Sequence, residues 1–229
     1  MSIRVATQPS PSTTTTTAER YYPSSDRASQ GDMISQRFLD VAFSSVALLV
    51  LLPFLIVLAL VIRIDSPGPV LFTQRRVGKH GEEFAFFKFR SMHADAETRL
   101  ETVLSTNERS GPVFKMRHDP RITRVGHWLR HSSADEVPQL LNILRGEMSL
   151  VGPRPALPRE VALYTAPQRC RLSVTPGLTG LWQVSGRADL SFEESIQLDL
   201  DYIARRSFAL NCVILLRTVP AVLTGRGAY

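Results

Sequence analysis

No charged residue stands between Val41 and Ile62. Cysteine is scarce as well: Cys170 lies in a Gln-Arg-Cys-Arg stretch and Cys212 in an apolar run. Their spacing suggests neither a disulfide framework nor a metal knuckle, and it fits a reducing setting for the polar part of the chain. The histidines have no cysteine pairs to join, so a zinc site is not expected. Residues 1–32 lack aliphatic clusters and are rich in Ser, Thr, Pro and Gln. Such a segment cannot bury enough surface to offset chain entropy, so 1–32 is expected to be a disordered tail. The missing apolar run near the start also argues against a signal peptide. Acidic residues are the minority charge, 21 against 27 Lys and Arg, a formal net charge of +6. That excess points to anionic partners: nucleic acid, lipid headgroups or phosphorylated substrates. No recognisable nucleic-acid module accompanies it, so no nucleic-acid partner is expected.

The uncharged stretch is long enough for a helix of roughly 33 Å, which would cross a bilayer core. Pro53 interrupts it. A mid-helix proline deletes one backbone hydrogen bond and clashes with the carbonyl four residues back, which favours a kink. Arginines flank both ends, Arg37 on one side and Arg63, Arg75 and Arg76 on the other. Positive charge prefers the cytoplasmic side, so both ends are expected to lie there. A helix over 38–63 that enters, bends at Pro53 and leaves by the same face satisfies both observations. An ordinary kinked span is the plain alternative.

Beyond this segment, Asp65-Ser66-Pro67-Gly68-Pro69 is a turn cluster that ends the helix. Short strands are expected at Val70–Thr73 and Glu83–Phe89, separated by Gly78 and Gly81. Helices are expected over Met92–Asn107, from near Asp135 through Leu144, and over Leu157–Tyr164, Phe192–Ile203 and Cys212–Leu223. Thr175–Gly180 reads as a turn. The fold class is α+β and mostly helical, a monotopic membrane-associated domain with a kinked re-entrant N-terminal helix and a small β-sheet.

Three groups of residues could carry chemistry. The first is Asp135-Glu136, followed by Val137-Pro138-Gln139. Adjacent carboxylates can divide labour, one as nucleophile and one as metal ligand. The bland reading is a capping box from Ser133 to Glu136. Pro138 weakens it, because a helix capped by Ser133 would carry the proline at its fifth position. Opening the helix at Asp135 puts Pro138 in the first turn and Asp135 at the positive end of the helix dipole, which favours its ionised form. The second group is Lys88-Phe89-Arg90, where strand alternation puts both cations on one face, an arrangement suited to a diphosphate. A solvated strand face is the alternative. The third is Gly152-Pro153-Arg154-Pro155, in which two prolines hold one arginine rigidly enough to meet a phosphate without further ordering cost. A stiff connector is the alternative there.

Together these segments resemble the bacterial sugar transferase family, the monotopic phosphoglycosyl transferases that begin glycan assembly on undecaprenyl phosphate. The resemblance covers about residues 33–229, as one domain after the 1–32 tail, with residues 33–64 as the membrane re-entrant helix. Its strongest stretch runs from Ser133 to Pro155. Further matches are Phe72-Thr-Gln-x-Arg-Val-Gly78, Phe87-Lys-Phe-Arg-Ser-Met92, Pro176 to Arg187, and the ending Arg226-Gly-Ala-Tyr229. Length and ending are similar to the small exopolysaccharide-initiating members, which use UDP-galactose or UDP-glucose.

The resemblance implies an enzyme of the bacterial inner membrane with its catalytic domain on the cytoplasmic face. Asp135 would attack the sugar-linked phosphorus of a UDP-sugar, release UMP and form a covalent sugar-phosphoryl aspartate. Undecaprenyl phosphate would then accept the hexose-1-phosphate. Glu136 would ligate Mg²⁺. Lys88, Arg90, Arg130 and Arg154 match basic positions near the phosphates. Members often have Ser before the kink proline, where this chain has Leu52, so the kink rests on Pro53 and its surroundings. Homo-oligomerisation is compatible with the pattern. The competing readings are a membrane-anchored, non-catalytic scaffold with the same fold and a conventional glycosyltransferase, which would release UDP.

Overall fold

The computed structural model describes residues 29–99, 116 and 119–224. Most of them are helical. The first helix, α1, spans Gln30–Asp65. It begins inside the segment expected to be tail, because Ser29 and Asp32 form a capping box: Asp32 N–H donates to Ser29 Oγ (3.1 Å) and Ser29 N–H to Asp32 Oδ2 (3.2 Å). Residues 1–28 lie outside the described residues. The helix runs continuously through Pro53. Among the described residues it alone is long and apolar enough to cross a membrane.

One face of α1 explains how it joins the rest of the chain. Gln36, Asp40 and Ser44 recur at the i, i+4 spacing of a single helix face, and all three are buried. Asp40 Oδ1 accepts the Leu150 N–H (2.8 Å) and the Ser149 hydroxyl (3.1 Å), while Gln36 Nε2 donates to Ser149 Oγ (2.6 Å). Arg37 donates to the carbonyls of Ile143 (2.6 Å) and Leu144 (2.9 Å). Near the other end, Leu58 and Ile62 pack on Phe89 and Leu129. Between these contacts, Val46, Leu49, Val50, Leu52, Phe54 and Val57 are exposed.

Strands β1 (Leu71–Val77) and β2 (Glu83–Phe89) form an antiparallel hairpin that pairs Phe72 with Lys88 and Arg76 with Phe84. The turn uses His80 and Gly81 at positive φ (57° and 85°). β1 runs to Val77, past the expected end at Thr73: Arg75 stays on the open face of the hairpin, while buried Arg76 is held over the Phe86 ring. Residues 92–99 form a bridge at Met92 and then turns. The rest of the expected 92–107 helix, like the 226–229 ending, lies outside the described residues.

Then follow α2 (Arg124–Ser132), a 3₁₀ turn (Ala134–Glu136), α3 (Gln139–Arg145) and β3 (Ser149–Val151). Two short helices, α4 (Pro158–Ala162) and α5 (Ala166–Arg169), lead to a 3₁₀ turn (Cys170–Ser173) and β4 (Gly177–Thr179). The last helices among the described residues are α6 (Leu181–Ser185), α7 (Phe192–Arg205) and α8 (Phe208–Thr224). The segment expected as a turn at 175–180 is thus partly a strand. It pairs parallel with β3, Ser149 opposite Gly177 and Val151 opposite Thr179. Gly177-Leu178-Thr179 is too short to show an alternation of its own; the partner makes it a strand. The principal core gathers Phe84 and Phe86 from β2, Leu140 and Ile143 from α3, Leu150 from β3, Tyr202 and Ile203 from α7, and Ile214 from α8.

Candidate active site

The Asp135-Glu136 pair sits between α2 and α3, in the 3₁₀ turn. Ser133 makes this possible by adopting a left-handed conformation (φ 56°, ψ 17°), which breaks α2 and redirects the chain. Its side chain makes no capping bond, so the capping-box alternative is absent. The expected opening of a helix at Asp135 is also corrected. Pro138 is the N-cap of α3, which starts at Gln139. Asp135 therefore lies a turn too early for the α3 dipole to favour its ionised form. Burial instead pushes its carboxyl above the usual range, against the pull of Lys88. For Glu136 burial acts in the same direction, but Lys88, Arg154 and Arg76 outweigh it and hold that carboxyl low.

Lys88 links the pair. Its Nζ lies 2.8 Å from Glu136 Oε1 and 3.4 Å from Asp135 Oδ2. Strand β2 thus delivers one cation to two adjacent carboxylates. These three residues line a cavity of about 710 Å³ whose wall also carries Arg76, Arg130, Arg154 and Arg187. In total the lining holds eight Lys or Arg side chains against five Asp or Glu. A concave site with a cationic excess and convergent carboxylates suits a phosphorylated ligand.

Arg130 reaches this wall from α2, with its Nε donating to Ser91 Oγ (3.0 Å). Arg154 is held through its backbone. Gly152 N–H donates to the Thr179 carbonyl (2.9 Å) and Gly177 N–H to the Pro153 carbonyl (2.8 Å). Arg76 Nη1 donates to the Pro155 carbonyl (3.1 Å), and Arg171 Nη2 to the Arg154 carbonyl (3.2 Å). Arg171 is itself paired with buried Asp199, and its Nη1 donates to the Tyr164 hydroxyl (2.7 Å). Burial pushes Asp199 up to about 6, in spite of Arg171. The Gly-Pro-Arg-Pro loop is therefore fastened on both sides, as its sequence suggested.

Arg90 behaves differently from Lys88. Strand β2 ends at Phe89, and the Arg90 guanidinium turns to the end of α1, where Nη2 donates to the Ser66 carbonyl. Lys88 and Arg90 border the same cavity but bond to different parts of it.

Several cavity residues received no role from the sequence. Arg76 is buried, with its guanidinium 5.2 Å from the Phe86 ring centroid, and burial lowers it to about 9. Arg121 is paired with Asp119 at 2.7 Å. Arg187 follows Gly186 at φ 51°, an uncommon conformation for a non-glycine residue and one that clusters at functional sites. Arg76 and Arg187 both fall inside stretches that resemble the family, and that was the available signal.

His127 and His131 stand four residues apart on α2, a spacing metal sites can use. Among the described residues, however, no group of three His, Cys, Asp or Glu assembles. The Asp-Glu pair offers hard oxygen donors only. Lys88 meets one Glu136 oxygen, and the Glu136 side chain keeps 32% of its surface accessible. This donor set fits Mg²⁺, which takes one or two carboxylates and completes its shell with phosphate oxygens and water.

Residues 31–225 match the family described as bacterial sugar transferase. The galactosyl transferase CpsE of Streptococcus agalactiae is 45% identical over 197 residues, covering 86% of this chain and 44% of that protein. The exopolysaccharide production protein ExoY of Rhizobium meliloti is 40% identical over 200 residues, with 86% and 88% covered. The UDP-glucose:undecaprenyl-phosphate glucose-1-phosphate transferase of Caulobacter vibrioides is 40% identical over 206 residues, with 86% and 72% covered. This chain thus spans less than half of CpsE and most of ExoY.

Proposed function

Because the chain belongs to the bacterial sugar transferase family, we propose that it transfers hexose-1-phosphate from a UDP-sugar to undecaprenyl phosphate and releases UMP. The observation that carries this reading is the pair of buried Asp135 and half-buried Glu136, bridged by Lys88 in an arginine-lined cavity. Phosphoryl transfer is mainly positioning plus neutralisation of charge on the moving oxygens, and this cavity supplies both. UDP-galactose and UDP-glucose are the donors to test, given one relative named for galactosyl and another for glucose-1-phosphate transfer. The reaction would be the first membrane step of exopolysaccharide or other surface-glycan synthesis.

In the first half-reaction an Asp135 oxygen attacks the sugar-linked phosphorus. The bond from that phosphorus to the bridging oxygen breaks, and UMP departs. A phosphate oxygen of the lipid then attacks the same phosphorus, and the phosphorus–Asp135 bond breaks to regenerate the carboxylate. Lys88 holds Asp135 and Glu136 in register. Arg154 and Arg76 favour the charged form of Glu136, and Arg130 that of Asp135. Glu136, with the substrate diphosphate, would hold Mg²⁺, which supplies charge neutralisation to the phosphoryl oxygens when bound.

The contacts of α1 support a re-entrant arrangement at the cytoplasmic face of the inner membrane. Its first turns bond to Ser149, Leu150 and Ile143, and its last turns pack on Phe89 and Leu129. Both ends thus meet one polar domain, while the apolar middle around Pro53 is exposed. A straight span would carry its ends to opposite sides of the bilayer. UMP release measured with undecaprenyl phosphate and a panel of UDP-sugars tests the reaction. Release of UDP would indicate a conventional glycosyltransferase, and no turnover by folded protein a scaffold.

A further inference from the structure

Arg90 is 5% exposed, and among the described residues its Nε and Nη1 have no hydrogen-bond partner. A buried guanidinium with unsatisfied N–H groups is costly, and its natural complement is an anion. The chain builds a place for this side chain. Gly68 has φ +127°, and a Cβ there would strike Arg90 Nη1. The Gly68 carbonyl is in turn held by Arg63 Nη1 at 2.7 Å. The third nitrogen, Nη2, is anchored on the Ser66 carbonyl, where α1 ends. Burial and then Arg63 disfavour the charge on Arg90, and an anion would offset both.

The surroundings indicate which phosphate this would be. Ile64, two residues before Ser66, is 84% exposed, and it continues the apolar flank of α1 that includes Leu60 and Val61. Pro69, Leu71 and Phe72, which follow the end of α1 in the chain, add apolar side chains to the cavity lining that Arg90 shares. A ligand with a hydrocarbon tail and a phosphate head matches a buried arginine at the end of an apolar ramp. A nucleotide diphosphate does not need the ramp. The cavity lining also carries Arg76, Arg154, Arg187 and Trp182, whose side chains are polar or aromatic.

We infer that Arg90 receives the phosphomonoester head of the polyprenyl phosphate acceptor as it leaves the apolar flank of α1, while Lys88 serves the reacting carboxylates. This inference rests on the transferase reading above. It assigns Arg90 to one substrate of two, so it separates the half-reactions.

The experiment uses the full chain in phospholipid-free detergent, with Arg90→Gln and Arg90→Lys. UDP-sugar without lipid should give the same UMP burst and the same burst rate as wild type in both variants. The KM for undecaprenyl phosphate should rise about ten- to hundredfold in Arg90→Gln, the range that charge-assisted hydrogen bonds carry, and less in Arg90→Lys. An equal loss of burst rate and acceptor step in both variants would overturn the assignment, since Arg90 would then serve the nucleotide or the framework. A defect confined to bilayers with anionic phospholipid, with unchanged acceptor KM in detergent, would also overturn it in favour of a headgroup anchor. If wild type gives no burst, the covalent reading fails by itself. Steady-state KM values then decide Arg90: a rise for the lipid alone supports the inference, and a rise for the UDP-sugar overturns it.

Discussion

Gly152 offers a test of how closely the arginine loop is positioned. A Cβ at Gly152 would lie 2.5 Å from the Thr175 carbonyl oxygen and 2.8 Å from Gly177 N, where ordinary contact begins at 3.4 Å. Both neighbours are backbone, so neither can rotate away. Gly152→Ala must therefore separate β3 from the approach to β4 by about 1 Å, an overpacking cost of about 1–3 kcal/mol. For a domain of this size that is a fall in Tm of about 2–12 °C. Arg154 lies two residues on and should move with the loop. A misplacement near 1 Å can reduce rate on the order of 10²-fold. The assay pairs UMP release with thermal unfolding below the lowered midpoint. Gly81→Ala is the control: Gly81 has φ +85° with nothing within 4 Å of a Cβ. Its strain should cost about 1 kcal/mol and leave turnover unchanged. If Gly152→Ala acts through Arg154, it should add little to Arg154→Ala, because coupled sites are not additive. Wild-type turnover in Gly152→Ala, or losses that multiply in the double variant, would refute the reasoning.

Asp135→Asn and Asp135→Glu should both abolish UMP release, the first by removing the nucleophile and the second by moving its oxygen about a bond length; near-normal turnover in Asp135→Asn would reassign the residue. Glu136→Gln should be severe but partly rescued by raised Mg²⁺, and full wild-type turnover in excess EDTA would exclude the metal. Asp199 has its pKa raised from 3.8 to about 6 by burial. Its folded value lies above the unfolded one, so its favourable term is complete below about pH 4 and lost as pH rises through about 6, by up to about 3 kcal/mol. Thermal midpoints should fall more steeply over that window in wild type than in Asp199→Asn, and parallel curves would contradict the assignment. In a cysteine-free background, Met33→Cys should label from the cytoplasmic side of cells, and reaction only from the periplasmic side would mean a true span.

Local order in the residues announced much of this protein. An uncharged run predicted the apolar helix, because the composition of such a run bars it from water wherever the chain folds. Short β-rich runs and glycines predicted two strands between residues 70 and 90, the first shorter than it is, and two prolines predicted a rigid Arg154 loop. The Asp-Glu pair, Lys88 and Arg154 were legible as cavity residues because the resembling stretches contain them, and Arg130 because it matches a basic position of the family just before the strongest stretch. What depended on distant partners was not legible. Asp135 was expected at a helix dipole, yet Ser133 turns left-handed and burial governs its carboxyl instead. Arg90 was grouped with Lys88 by strand alternation, but the strand stops one residue short, and Ser66 from the end of α1 takes the guanidinium. Arg37 looked like a topology signal, and it also caps the carbonyls of Ile143 and Leu144, more than 100 residues away. The polar stripe Gln36-Asp40-Ser44 and strand β4 have no meaning until β3 is beside them. Periodicity and turn chemistry act between neighbours in the chain and can be read there. Hydrogen-bond partners and burial are set by chain segments that only folding brings together, and these decided which charges face the Asp135 and Glu136 carboxylates.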